Sequence, residues 1–164
     1  METSRGKLIT HLTCEVLGLK MNDPAAIKEM LCAARTIAVV GMSDKPARAS
    51  HNIGRYLASK GYRVLPVNPT LSSILDMPCY PDLDAAAAAA HEQTGSGIDL
   101  VDVFRASDNV PPIVEDVIRL HIPYLWLQDG VVHPEAIARA EAAGVKCVQN
   151  DCIFREHAKL AVDF

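Results

Sequence analysis

Regular cysteine spacing is absent. Cys14, Cys32, Cys79, Cys147 and Cys152 form an odd set without a CxxC pair. That excludes a secreted disulfide framework and leaves reduced thiols in a cytoplasmic protein as the expectation. The six histidines show no HxxxH or HExxH pattern, so no metal site is expected. No stretch is long and apolar enough to cross a membrane. Basic runs and basic patches studded with aromatics are also missing, and the formal net charge is −4. Nucleic acid is therefore not the expected partner. Aromatic residues make up only 5 % of the chain.

What is present is aliphatic. Hydrophobic residues make up 49 % of 164 residues, dominated by Ala, Val, Ile and Leu. This suits one α/β domain with buried strands and alanine-rich helices. Residues 1–22 read as an extension, with a weak helical stripe at Leu8, Leu12, Val16 and Leu19 that Glu15 interrupts. No small-residue cleavage site follows, so a signal peptide fits poorly. The domain is expected over residues 23–164. Asn22 or Asp23 can cap its first helix, with Pro24 in the first turn.

From there the pattern alternates. Helices are predicted over Pro24–Ala34, Ser50–Lys60, Leu83–Gln93, from Pro112, over Pro134–Ala143 and over Cys152–Leu160. Strands are predicted at Thr36–Val40, "YRVLPVNP", "MPCY", "IDLVDVF", "IPYLWLQ" and "VKCVQ". Pro66 removes one ladder donor from the second. Six strands separated by helices imply right-handed crossovers and a single doubly wound parallel sheet with helices on both faces.

Ligands of such sheets lie beyond the carboxyl ends of the strands. Those ends carry Gly41, Met42 and Ser43, then Asn68 and Pro69, Phe104 and Arg105, Gln128, Asp129 and Gly130, and finally Asn150, Asp151 and Cys152. Gly41 would let a ligand approach the backbone. Lys45, Arg48 and Arg105 offer positive charge, and an arginine can grip a phosphate through two parallel bonds. Ser50 either caps its helix or offers its hydroxyl to the ligand. A dinucleotide site would add two glycines soon after Gly41, and an acidic residue at the end of the second strand. This sequence has Asn68-Pro69 there, so an NAD(P)-linked oxidoreductase becomes the alternative reading.

The segments "VVGMSDKPARASHNI", "VLPVNP", "DLVDVFR", "LWLQDGVV" and "NDCIFREHAKL", in that order, resemble the small stand-alone CoA-binding proteins of bacteria and archaea. Their Rossmann-like domain also opens the succinyl-CoA synthetase alpha subunit. The similarity spans about Pro24 to Leu160. It implies CoA or an acyl-CoA as ligand, with Gly41, Ser43, Arg48 and Ser50 at the phosphates and Asn68 and Pro69 bordering the adenosine. It also implies that Phe104, Arg105, Gln128, Asp129 and Gly130 wall the channel of the pantetheine arm. The sequence departs from the synthetase after the second strand, where "TLSS" replaces a segment bearing glycine and lysine. The synthetase's phosphohistidine domain has no counterpart either, so ligase activity is not expected.

Catalytic candidates are few. Cys152 stands at the predicted start of a helix, where thiolates are favoured, but His157 lies five residues on, about 140° around the helix. A packing role is expected for Cys152; the alternative is a mixed disulfide with CoA or another thiol. Asp99 and Asp102 are three apart on a strand and point to opposite faces. Asp102 is expected to bond nearby loop amides. His133 either touches the ligand or caps the helix that Pro134 opens. The resulting expectation is a CoA or acyl-CoA thioester binder without catalysis of its own. A ligand-free scaffold is a further alternative, and a homodimer or an unknown protein partner stays open.

Overall fold

The computed structural model describes residues 22–162. The predicted stripe from Leu8 to Leu19 lies outside them. Helix α1 (Pro24–Ala33) starts at Asp23, whose Oδ1 accepts a bond from the Ala25 amide at 3.1 Å. Asp23, rather than Asn22, is thus its cap. Asn22 instead pairs with the backbone of Gln149 in both directions. Strand β1 (Thr36–Val40) is buried at all five positions, as a strand covered on both faces must be. Helix α2 (Ala49–Ser59) and strand β2 (Arg63–Val67) follow. A short antiparallel pair, β3 (Ser73–Ile74) with β4 (Met77–Pro78), leads to α3 (Leu83–Thr94). The chain continues through β5 (Leu100–Val103), a 3-10 turn (Ser107–Asn109), α4 (Val110–Arg119), β6 (Tyr124–Leu127), α5 (Pro134–Ala142), β7 (Lys146–Val148) and α6 (Ile153–Val162).

Strands β2-β1-β5-β6-β7 form one parallel sheet, in that order. The expected architecture is therefore present, with five strands in place of six. "MPCY" does not extend the sheet as a sixth strand: Met77 and Pro78 turn back on Ser73 and Ile74. Tyr80 joins the far edge of β2 through a bridge to Val67 made by Tyr80 N–H to Pro66 O and Asn68 N–H to Tyr80 O. Those bonds also explain Pro66. The bonds of β2 to β1 run through Arg63 N–H to Arg35 O and Gly41 N–H to Val67 O. Alternate residues face outward, so the missing Pro66 donor would have pointed away from β1 and the pairing loses nothing.

Two apolar layers sandwich the sheet. One face presents Ala38, Val40, Val101, Val103, Leu125 and Leu127 to α3, α4 and α5. The other presents Ile37, Val39, Leu100 and Trp126 to α1, α2 and α6. The alanine run of α3 packs closely, with Ala86, Ala87 and Ala90 buried. Helix α4 starts two residues before Pro112, at Val110, because the 3-10 turn feeds it and prolines are tolerated in a first turn. No helix among the described residues is long and apolar enough to cross a membrane.

Candidate functional site

The strand order reverses between β1 and β5, since the chain leaves β1 for β2 on one side and returns to β5 on the other. The crevice of a doubly wound sheet opens at that point. A cleft of about 400 Å³ lies there, with Gly41, Ser43 and Ser50 on one side, Phe104 opposite, and Lys45 and Arg48 beside them. The structure thus brings the first-loop residues together with the end of β5, as the sequence implies.

The fold gives Gly41 a reason of its own, apart from any approach of a ligand. Its φ is +85°, and a Cβ there would lie 2.6 Å from the Phe104 carbonyl oxygen. The protein's own backbone fills the space, as the β1 and β5 loops close on each other. Arg105 is drawn in by the same approach, its Cδ lying 3.4 Å from that Cβ position.

Side chains build the loop. The Ser43 amide donates to Ser50 Oγ at 3.0 Å, and the Lys45 amide to Ser43 Oγ at 3.1 Å. His51, buried beneath, bonds Ser43 O through Nδ1 at 3.0 Å. Asn68 donates Nδ2–H to Met42 O, and its Oδ1 accepts from the amide and hydroxyl of Thr70. Ser50 therefore does not cap α2; Arg48 holds the cap position and makes no side-chain cap bond. Helices α1, α3 and α5 are each capped by a side chain, and for α5 the cap is His133, whose Nδ1 accepts from the Ala136 amide. The first-turn amides of α2 lack such a cap beside the crevice, the arrangement that receives anions.

The surrounding cations are unspent. Elsewhere Arg119 pairs with Asp84 and Asp116, Arg139 with Glu115, Lys146 with Glu29, and Arg155 with Asp129 and Asp151. Among the described residues, the side chains of Lys45, Arg48, Arg55 and Arg105 make no hydrogen bond or ion pair. Lys45 and Arg48 line the cleft, and Arg105 reaches its edge beside Gly41.

Two expected contacts are placed elsewhere. The Met42 side chain is fully buried, packed where Gly54 leaves room, so only its backbone belongs to the loop. Gln128 is turned inward and buried, donating Nε2–H to Asp102 Oδ1 at 2.6 Å, and cannot wall the channel with its side chain. Asp102 accordingly bonds this amide rather than loop amides. It is fully buried, and its Oδ2 has no partner. Burial pushes its carboxyl up to about 7, against the opposing effect of the Gln128 bond. Asp99 falls just before β5 rather than within it, and accepts the amides of Arg35 and Thr36. Asp129 is exposed and gripped by Arg155, Gly130 donates its N–H to Asn150 Oδ1, and Pro69 is exposed at the end of β2. Cys152 is half-buried just before α6, its amide on Asp151 Oδ1. His157 bonds the Tyr56 hydroxyl at 2.8 Å, so it does not serve Cys152. Ala49, which borders the cleft, was not among the sequence candidates, because an alanine carries no chemical signal.

The family model described as a CoA binding domain matches residues 35–158. The chain belongs to the CoA-binding domain family. The domain is similar to the uncharacterized protein YneT of Bacillus subtilis (strain 168), at 34 % identity over 140 residues covering 84 % of this chain and 98 % of YneT. A hypothetical protein from Pyrococcus horikoshii OT3 superposes with a TM-score of 0.76 at 33 % identity, covering 85 % of this chain and 93 % of that one. The cell-free ID.343 protein from Thermus thermophilus does so with 0.73 at 31 %, covering 85 % and 99 %. This CoA-binding domain thus shares its fold across nearly the whole length of these relatives.

Proposed function

We propose that the protein binds CoA or an acyl-CoA thioester in the crevice between β1 and β5, as a cytoplasmic carrier, sensor or subunit without catalysis of its own. The observation that carries this reading is the cluster of Lys45, Arg48 and Arg105 without acidic partners, beside the uncapped start of α2. Cations around one crevice without counter-ions of their own favour a polyanionic ligand. CoA carries a diphosphate and a separate 3′-phosphate, which suits several cations better than one. The end of β2 argues against NAD itself. Asn68 Oδ1 is already occupied by Thr70, and no carboxylate stands there for the ribose hydroxyls.

The test is calorimetric titration of the purified protein, stripped of co-purified ligand, with CoA, dephospho-CoA, acetyl-CoA and NAD. The expected result is binding of CoA that weakens in Arg48→Ala and is absent for NAD. NAD binding with no affinity for any CoA species would overturn the reading. Failure to bind any of the four would favour a ligand-free scaffold.

A further inference from the structure

The geometry points to a second compartment of this site: a groove between α2 and the first turn of α6 that takes the aliphatic acyl chain of a CoA thioester. The inference rests on the CoA reading above and names the ligand class within it. The groove measures about 600 Å³, a volume typical of small-molecule sites. It adjoins the phosphate cleft at Ala49, which borders both. From Ala49 it follows α2 to Ser59, ten residues or about 15 Å of helix.

Its chemistry is apolar by subtraction as well as by content. Ile53 and the rings of Tyr56 and Phe154 provide the hydrocarbon surface, the two rings meeting edge to face at 4.5 Å. The polar groups nearby are engaged. Asn52 donates to the carbonyls of Pro46 and Arg48, Ser59 donates to Tyr56 O, and the Tyr56 hydroxyl bonds His157. The Arg55 guanidinium and the Asn52 Oδ1 keep unused polar atoms, and both residues are exposed. A polar ligand would find few partners there, whereas a hydrocarbon chain needs none.

The groove also lies where the far end of the ligand would arrive. The pantetheine arm is expected to run past Phe104 toward Asp129 and Gly130. Arg155 binds Asp129 through both nitrogens, at 3.0 and 3.1 Å, which fastens that wall to the first turn of α6. The neighbouring Phe154 leaves 44 % of its surface in water, a large apolar side chain exposed at that turn. A chain leaving the thioester there would cover this ring and remove both surfaces from water.

The experiment titrates the full-length protein with CoA, acetyl-CoA, hexanoyl-CoA and octanoyl-CoA, and repeats the series on Phe154→Ala. A fully buried methylene is worth roughly fourfold in affinity, and a half-open groove gives about twofold. Octanoyl-CoA, six methylenes longer than acetyl-CoA, should then bind roughly sixtyfold tighter, and Phe154→Ala should shrink that ratio. Equal affinity along the series in a protein that does bind CoA overturns the groove and leaves the CoA reading intact. A chain-length preference that Phe154→Ala leaves unchanged overturns it too. No affinity for CoA itself defeats the underlying reading instead.

Discussion

Asp102 supplies the sharpest physical test of the fold. Its carboxyl sits on the central strand β5, between Val39 of β1 and Trp126 of β6 in the sheet register, with no exposed surface. One oxygen accepts from Gln128 and the other has no partner. Desolvation raises its pKa from 3.8 to about 7. Between these values the native protein keeps a proton that the unfolded chain has released. Stability from this group is therefore complete below about pH 4 and is lost as pH rises through 7. Each unit is worth about 1.4 kcal/mol, so the whole interval amounts to about 4 kcal/mol. Asp102→Asn removes the titration and keeps an oxygen for Gln128. Its new amide nitrogen has no more of an acceptor than the protonated hydroxyl had.

The assay is urea unfolding followed by the fluorescence of Trp126, the chain's one tryptophan and itself buried. The quantity of interest is the stability of wild type minus that of the variant, in which the other titrating groups cancel. It should fall by about 3 kcal/mol between pH 5 and 8, leaving the Asn variant the more stable protein at pH 8. A difference that stays constant across that range would show that Asp102 is ionised in the fold throughout, and the desolvation argument would fail.

Gly41→Ala should lower stability by at least ~2 kcal/mol, because the residue needs a positive φ and a Cβ would strike Phe104 O; unfolding midpoints at neutral pH check this, and a neutral substitution would refute it. Arg105→Ala should weaken CoA binding by about tenfold or more, the loss of one charge-assisted contact, with a shallower salt dependence in the titration; an unchanged salt slope would place Arg105 outside the phosphate site. His157 is held below its usual pKa first by burial and then by Lys60, so the fold favours the neutral ring, and its contribution should be lost as pH falls below about 6.5. The stability difference between wild type and His157→Gln should therefore shrink from pH 7.5 to pH 5.5, and a flat difference would count against it.

How much of this was legible in the sequence depended on whether the signal was local. Thr36–Val40 and Leu83 as a helix start could be read directly, because a buried aliphatic run and a run of alanines are local features. The ends of the strands located the crevice for the same reason, since topology alone fixes where they lie. What stayed hidden were relations across the chain. "MPCY" has strand-like residues, but whether they pair with β2 or fold back on Ser73 depends on which edge is free. Nothing in Gln128 says that it will turn inward to Asp102, 26 positions away. Nor does Phe154 announce that it will meet Tyr56.

The loop after β1 shows why a single glycine suffices. A dinucleotide fingerprint uses successive glycines to fold a short turn tightly against a pyrophosphate. Here the turn is longer, and Ser50, His51 and Asn68 hold it through bonds to the backbone of Ser43 and Met42. Glycine is required only at Gly41, where two loops of the sheet touch. Fixing the loop by side chains from beneath leaves its outer residues without structural duty, and Lys45 and Arg48 are among them. A longer loop held this way can present charge at positions where a glycine turn presents only amides. That difference suits the polyanionic ligand proposed above, and it is written in the spacing between Gly41 and Ser50.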